Sequence, residues 1–151
     1  MKTSKKSIEK FLEARKMAIA GVSRNPKKFG VTVYKELKAK GYIVFPVNPN
    51  ADLIEGEACF HSVSALPLDV RNLLVITPRD QTIQVVKEAL AKGIDNIWIQ
   101  QMSETKEVLD YLKEKDVNLV YKECIMMWSE PVKSIHKFHR WILKFFGKLP
   151  K

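Results

Sequence analysis

Residues 16–50 have the sequence KMAIAGVSRNPKKFGVTVYKELKAKGYIVFPVNPN. Apolar runs at 16–22 and 42–47 flank the segment 29–40, whose apolar residues recur at helical spacing before Gly41, a typical helix C-cap. Short runs that are apolar throughout are typical of buried strands. The stretch therefore predicts a strand, a helix and a second strand, followed by an Asn-Pro-Asn turn.

The same alternation continues along the chain. Residues 3–15 predict an N-terminal helix that covers the first strand, and residues 61–67 offer one helical turn. Asp80 is predicted to cap the third helix. The remaining strands are predicted at 73–77, 96–100 and 117–121, and the remaining helices at 80–92 and 103–116.

Apolar strands separated by amphipathic helices indicate a parallel sheet with both faces covered. The predicted fold is α/β, a doubly wound, mostly parallel five-stranded Rossmann-like sheet with helices on both faces and a C-terminal amphipathic helix. At 151 residues the chain can bury one sizeable core. We expect one domain over residues 1–130, followed by a basic helix and tail over residues 131–151.

The net charge of +9 lies at the two ends of the chain. Residues 1–16 hold six Lys or Arg and two Glu, residues 129–151 hold six and one, and residues 17–128 are therefore neutral. Nucleic-acid binders usually carry their basic patch on the folded body, so we expect no nucleic-acid partner. The chain has no apolar run long enough to span a membrane and no secretory leader pattern, and its two cysteines suggest reduced thiols in the cytoplasm.

Ligands of doubly wound sheets bind at the carboxyl ends of the strands, where the strand order reverses. This rule selects the segments 21–30, 47–50, 77–79 and 100–102. In the first of them, Gly21 and Ser23 suit phosphate binding at a helix N-terminus. The alternative is a tight turn with solvated lysines.

Two common nucleotide motifs are missing from these segments. Ser23 stands where the second glycine of GxGxxG would be, and there is no P-loop pattern. The second strand is followed by Asn48-Pro49-Asn50 rather than by the acidic residue that holds a dinucleotide ribose. NAD is therefore disfavoured.

A combination of short motifs resembles the small stand-alone coenzyme A-binding proteins, which are similar to the N-terminal CoA-binding domain of the succinyl-CoA synthetase alpha subunit. The resemblance covers about residues 14–128. It is carried by Gly-Val-Ser-Arg-Asn-Pro at 21–26, Val-Phe-Pro-Val-Asn-Pro-Asn at 44–50, Gly56, Val75-Ile76-Thr77-Pro78, Gly93, Ile97-Trp98-Ile99-Gln100 and Glu123-Cys124.

The resemblance implies a CoA or acyl-CoA ligand across the carboxyl ends of the first, second and fourth predicted strands. Arg24, Lys27 and Lys28 supply positive charge for its phosphates. Strand ends supply an apolar groove for its pantetheine arm. The implied contacts of the phosphates and adenosine are Gly21, Val22, Ser23 and Arg24, and those of the adenine side are Pro46, Asn48 and Pro49. The implied contacts of the pantetheine arm are Ile76, Thr77 and Pro78, with Trp98 and Gln100 near its end.

The sequence leaves open whether the protein is an enzyme and favours a non-catalytic role. His61 has no carboxylate nearby in sequence, so a surface role is preferred. His136 and His139 share a helical face without a third metal ligand, which favours packing. Cys124 could lie near a CoA sulfur, but simple burial is the preferred interpretation for it and for Cys59.

Residues 131–146, PVKSIHKFHRWILKFF, predict a helix with a basic stripe and a broad apolar remainder. The stripe consists of Lys133, Lys137, Arg140 and Lys144. The preferred interpretation is a helix docked on the domain. The alternatives are a homodimer contact and a membrane-surface contact.

Three functions remain open at this point. The leading hypothesis is a non-catalytic module that senses, carries or presents CoA or an acyl-CoA. The second is a small acyl-CoA- or nucleotide-dependent enzyme, and the third is a membrane-surface or protein-interaction adaptor. The first predicts that Arg24→Ala weakens CoA binding by about 1–3 kcal/mol, the scale of a charged hydrogen bond.

Overall fold

A computed structural model describes residues 2–129 of the chain. Two single 3₁₀ turns, Val63–Ala65 and Ile125–Met127, accompany its helices and strands. The helices are α1 (Lys5–Glu13), α2 (Phe29–Ala39), α3 (Arg79–Ala91) and α4 (Lys106–Leu112), and the strands are β1 (Lys16–Ala20), β2 (Ile43–Val47), β3 (Leu53–Ile54), β4 (Glu57–Ala58), β5 (Asn72–Val75), β6 (Asn96–Gln100) and β7 (Asn118–Glu123).

Five strands form one sheet in the order β2-β1-β5-β6-β7, and every pair in it is parallel. This order confirms the predicted doubly wound sheet. The chain moves outward from β1 to β2, then returns to the other side of β1 at β5. The strand order therefore reverses between β1 and β5.

Side chains alternate between the two faces of the sheet, as the period of a strand requires. In β1, Met17 and Ile19 belong to the core beneath α1 and α2, whereas Ala18 and Ala20 belong to the core beneath α3 and α4. Both faces are therefore covered. Because the strands are buried on both faces, they appear in the sequence as apolar runs.

Three details differ from the sequence-based expectations. The antiparallel hairpin β3–β4 was not predicted, because its two-residue strands are too short for a periodic signal. Helix α3 begins at Arg79 after Pro78, so Asp80 lies in its first turn and is not the N-cap. The helix predicted at 103–116 is the shorter α4. It is capped by Thr105, whose side chain accepts a hydrogen bond from the Val108 N–H at 3.2 Å.

Helix α1 covers a different part of the sheet from the one expected. It packs mainly on β6 and β7, and it shares its core with Met17 and Ile19 of the first strand. The ring of Phe11 meets that of Trp98 on β6 edge to face, with centroids 5.4 Å apart.

A row of asparagines lies at the amino ends of the strands, which are called here the amino edge of the sheet; the opposite ends are its carboxyl edge. Asn96 stands between Asn72 and Asn118 on adjacent strands, and the Asn118 Nδ2 donates to the Asn96 Oδ1 at 2.6 Å. At the ends of the row, the Asn72 amide donates to the Lys16 carbonyl and the Asn118 amide donates to the Ser7 carbonyl. These bonds tie β1 and α1 to the sheet.

The expected C-terminal helix at 131–146, with His136 and His139, lies outside the described residues. Within residues 2–129, no helix has both the length and the apolar character needed to cross a bilayer.

Candidate functional site

A cavity lies where the strand order reverses, at the carboxyl ends of β1, β2 and β5. Its volume is about 560 Å³, within the range of roughly 300–1,000 Å³ that is common for small-molecule sites. Its walls come from the β1–α2 loop, the exit of β2, the segment around His61, the exit of β5 and one side of α3. The general rule for doubly wound sheets places a ligand at this position.

Two glycines shape the wall formed by the β1–α2 loop. Gly21 has φ +99°, and a Cβ on it would lie 2.6 Å from the Ile76 carbonyl oxygen. A Cβ on Gly30 would lie 2.7 Å from the Gly21 carbonyl oxygen. Both contacts involve backbone, so a side chain at either position would push α2 or β5 away. The first turn of α2 can approach the end of β1 only because both residues are glycines.

The close approach directs the N-terminus of α2 toward the cavity. Lys28 is the N-cap, and it lines the cavity together with Phe29 and Gly30. The first N–H groups of a helix have no intrahelical acceptor, and the side chain of Lys28 does not cap them. The helix end and the Lys28 ammonium thus offer positive charge and hydrogen-bond donors to an anion.

The wall at the exit of β2 is held by Asn48. Its Nδ2 donates to the Val22 carbonyl at 2.8 Å, and its Oδ1 accepts from the Asn50 N–H at 2.8 Å. Its backbone N–H donates to the Phe60 carbonyl at 2.9 Å. Asn48 therefore lines the cavity with both ends of its amide already engaged in the protein.

The opposite wall is fixed by hydroxyl groups and a carboxylate. Thr77, which is buried, shares a 2.9 Å hydrogen bond with Thr82, and the Thr82 hydroxyl donates to the Ser103 carbonyl. Glu88 on α3 accepts hydrogen bonds from the N–H and the hydroxyl of Ser64. These contacts join α3 to the neighbouring loops and give the cavity a fixed side.

Three polar side chains in the cavity wall remain uncommitted. Within residues 2–129, Lys28, Asn50 and Gln81 make no side-chain hydrogen bond or ion pair, although each lines the cavity. They come from three different elements. A ligand can bind to them without breaking an internal contact.

The structure brings together eight of the residues named from the sequence. Each of these lines the cavity: Gly21, Ser23, Lys28, Asn48, Pro49, Ile76, Thr77 and Pro78.

Five of the named residues do not line the cavity. Val22 and Pro46 are buried, and Arg24 is exposed to solvent beside the cavity lining. Trp98 and Gln100 are buried near the end of β6.

The end of β6 is separated from the cavity because a neighbouring segment covers it. The Trp98 indole packs in the core beneath α1, and its Nε1 donates to the Glu123 carbonyl at 3.1 Å. The Gln100 Oε1 accepts from the Ile125 N–H at 3.1 Å. The cavity thus lies at the end of β5, the third predicted strand, and not at the end of β6, the fourth predicted strand.

The residues after β7 form part of this cover. Burial raises the pKa of the Glu123 carboxyl, although a hydrogen bond from the Trp128 indole at 3.0 Å opposes the shift. The half-buried Cys124 packs against the core at this point.

Sequence reasoning missed one side of α3. Gln81, Val85 and Glu88 line the cavity from three successive turns of the helix. Their spacing places them on one face, which was a usable signal. The strand-end rule selects loops and gives no reason to look along a helix.

His61 also lies in the cavity wall, and its environment differs from the expectation. Its Nε2 is 2.8 Å from the Asp52 Oδ1, so it does have a carboxylate partner, which the β3–β4 hairpin brings close. Both side chains are exposed. No group of three or more His, Cys, Asp or Glu suited to a metal ion occurs among residues 2–129.

The chain matches a family model described as CoA binding domain over residues 15–130. The alpha subunit of ADP-forming acetate–CoA ligase II from Pyrococcus furiosus is 26% identical over 129 residues, which cover 78% of this chain and 28% of the subunit. The uncharacterized protein YneT of Bacillus subtilis is 30% identical over 125 residues, which cover 81% of this chain and 91% of that protein. The match therefore spans little more than a quarter of the ligase subunit and nearly all of the Bacillus protein.

Solved structures show the same fold. A conserved hypothetical protein from Pyrococcus furiosus is 40% identical with a TM-score of 0.71, covering 74% of this chain and 96% of that one. A hypothetical protein from Pyrococcus horikoshii OT3 is 27% identical with a TM-score of 0.76, covering 82% of this chain and 88% of that one.

Proposed function

Because the chain belongs to the family of CoA binding domains, we propose that it binds coenzyme A or an acyl-CoA in the cavity at the ends of β1, β2 and β5. In this proposal it acts as a module that senses, carries or presents the thioester and does not itself catalyse a reaction. The observation that carries the proposal is the approach of α2 to β1 through Gly21 and Gly30. This approach opens a helix N-terminus onto a cavity large enough for part of such a ligand.

The phosphates of CoA suit the α2 side of the cavity. Phe29 and Gly30 lie in the first helical turn, whose N–H groups are donors for phosphate oxygens. Lys28 is exposed and uncommitted, so it can pair with a phosphate at no cost to an internal bond. Ser23 is a further donor on the same wall.

The pantetheine arm suits the apolar part of the same cavity. Val47 lines it from β2, Ile76 and Pro78 line it from the segment after β5, and Val85 lines it from α3. An arm with two amides also needs a few polar partners, and Gln81 is available on this side.

The cavity lining disfavours covalent chemistry on a cysteine. Among the described residues, no cysteine lines it. Cys59 lies behind the exit of β2. Burial raises the pKa of its thiol, and a smaller, opposing effect comes from its contact with the Asn48 carbonyl. A thiol held protonated in this way is a poor nucleophile.

The test is calorimetric titration of the purified chain with CoA, with acetyl-CoA, NAD and ATP in parallel. We expect CoA or acetyl-CoA to bind in the micromolar range and NAD and ATP to bind far more weakly. The matched variants are Gln81→Ala, which lines the cavity, and Gln84→Ala, which is also exposed on α3 but does not line it. The first should weaken CoA binding about 2- to 10-fold, the effect of one lost hydrogen bond, and the second should not change it. Absence of heat with every ligand, together with an unchanged melting temperature, would reject the proposal.

A second candidate is an acyl-CoA-dependent enzyme. It is favoured by the printed names of several relatives, which are ADP-forming acetate–CoA ligases. Incubation of the chain with acetyl-CoA and a thiol reagent distinguishes the two candidates. Steady release of free CoA above the rate without protein would favour the enzyme, and no release would favour the binding module.

A further inference from the structure

A second cavity lies on the α1 and α2 face of the sheet, away from the proposed CoA site. Its volume is about 430 Å³, and its apolar part is formed by Ile8, Leu12, Tyr42 and Trp128. We call it the α1 groove. None of its lining residues belongs to the cavity described above.

Four charged residues stand around the α1 groove, and three of them are engaged. Lys5 and Glu9 form an ion pair at 3.5 Å. The Arg15 guanidinium lies 4.0 Å from the centre of the Tyr42 ring and donates to the Lys40 carbonyl at 2.6 Å. Within residues 2–129, Glu13 makes no ion pair or side-chain hydrogen bond. The groove thus offers an apolar floor and one available carboxylate.

The chain leaves the described structure at this groove. Trp128 forms part of its wall, and the next residue, Ser129, is fully buried. The Ser129 N–H donates to the Ile125 carbonyl at 2.9 Å, and the Lys40 ammonium donates to the Ser129 hydroxyl at 3.0 Å. Ser129, the last described residue, is therefore held close to the groove.

The residues that follow have the composition that the groove requires. The segment 131–146 combines Ile135, Phe138 and Ile142 with four basic residues. As a helix it would be about 24 Å long at 1.5 Å per residue, more than enough to follow the nine residues of α1.

We propose that the segment 131–146 of the same chain occupies the α1 groove, with its apolar side on Leu12 and Trp128 and a basic side chain near Glu13. Direct chain connection favours this occupant. A tethered segment acts at a high effective concentration, whereas a second copy must lose translational and rotational freedom to bind. The inference does not depend on CoA binding.

The first test compares hydrogen exchange of the full chain with that of a chain ending at residue 130. We expect the amides of α1 to exchange about tenfold faster or more in the shorter chain, while those of α3, on the opposite face, stay unchanged. Equal protection of α1 in both chains would overturn the proposal.

A second test uses the full chain and remains decisive even if the shorter chain does not fold. Zero-length coupling of carboxylates to lysines, applied to a dilute mixture of nitrogen-14 and nitrogen-15 chains, should join Glu9 or Glu13 to Lys133, Lys137 or Lys144 within single chains. The controls are Glu107, in the first turn of α4 on the other face, and Glu114, just after that helix; neither should join those lysines. Mixed-isotope products would indicate a second copy in the groove. The absence of any such product would likewise overturn the proposal.

Discussion

The two edges of one sheet use polar side chains in opposite ways. At the amino edge, Asn72, Asn96 and Asn118 bond to one another and to the backbone of neighbouring elements. At the carboxyl edge, Lys28 and Gln81 face a cavity and make no contact of this kind within residues 2–129. A closed polar network adds stability, and open polar groups beside a cavity are available for a ligand. The difference separates residues that are bonded within the fold from residues that are available to a ligand.

The carboxyl edge is itself divided. Its β2-β1-β5 half is open at the cavity, whereas its β6-β7 half is closed by the residues from Glu123 to Trp128. Variants at each of these places test the comparison.

Gly21→Ala should be the most harmful change. It forces a Cβ toward the Ile76 backbone at φ +99°, so we expect a loss of roughly 2–5 kcal/mol in the free energy of unfolding, together with loss of CoA binding. Gly93→Ala is the matched control, because Gly93 has φ +85° and nothing lies within 4 Å of its added Cβ. Urea denaturation measures both variants. Equal losses would show that the approach to β5 contributes nothing.

Asn96→Ala should separate stability from binding. The change leaves the facing amides of Asn72 and Asn118 without their shared partner, at a cost of roughly 2–3 kcal/mol in unfolding free energy. CoA affinity, measured by calorimetry below the melting temperature, should stay within a factor of about two of wild type. A large loss of affinity with normal stability would contradict the division between the two edges.

Lys28→Ala should weaken CoA binding by about 1–3 kcal/mol and leave stability nearly unchanged. Lys27→Ala is its control, since Lys27 is exposed and does not line the cavity. The sequence predicts a comparable loss for Arg24→Ala. Because Arg24 is not part of the cavity wall, we now expect an effect below about 0.5 kcal/mol. Calorimetry of the three variants decides whether the charge pattern of the loop or the cavity lining identifies the phosphate contacts.

Glu123→Gln should produce the smallest effect, and that effect depends on pH. The pKa of Glu123 is raised in the folded state, so its contribution to stability is present at low pH and is lost as the pH rises through the folded pKa. The glutamine variant lacks this loss and should therefore gain on wild type between acidic and neutral pH. Glu114→Gln, at an exposed position, should follow wild type throughout. Thermal melts over this pH range measure the difference between the variants. If the Glu123 and Glu114 variants behave alike, the conclusion that Glu123 lies in a buried cover over the ends of β6 and β7 is contradicted.

Much of the fold could be predicted because its signals are local. Apolar runs such as 96–100 and helical spacing such as Val33 and Leu37 depend only on neighbouring residues. The pairing of Asn72, Asn96 and Asn118 is different, since it requires the register of three strands that lie far apart in the chain.

The site was predictable in part for a related reason. The strand-end rule and the motif around Gly21 select the edge and loop of the sheet at which the cavity lies. They do not show that the segment after β7 covers Trp98 and Gln100, because that cover is formed by contacts of Glu123 and Ile125 across strands. Nor do they reveal Gln81, whose role depends on how α3 lies along the cavity.

The central claim is that CoA binds at the open half of the carboxyl edge while the amino edge only supports the fold. An amide-resolved NMR titration of the nitrogen-15-labelled chain with CoA tests both parts at once. The account predicts saturable shifts at Gly21, Phe29 and Gly30, and none at Asn72, Asn96 and Asn118. Shifts confined to the amino edge, or no shifts at any CoA concentration, would contradict it.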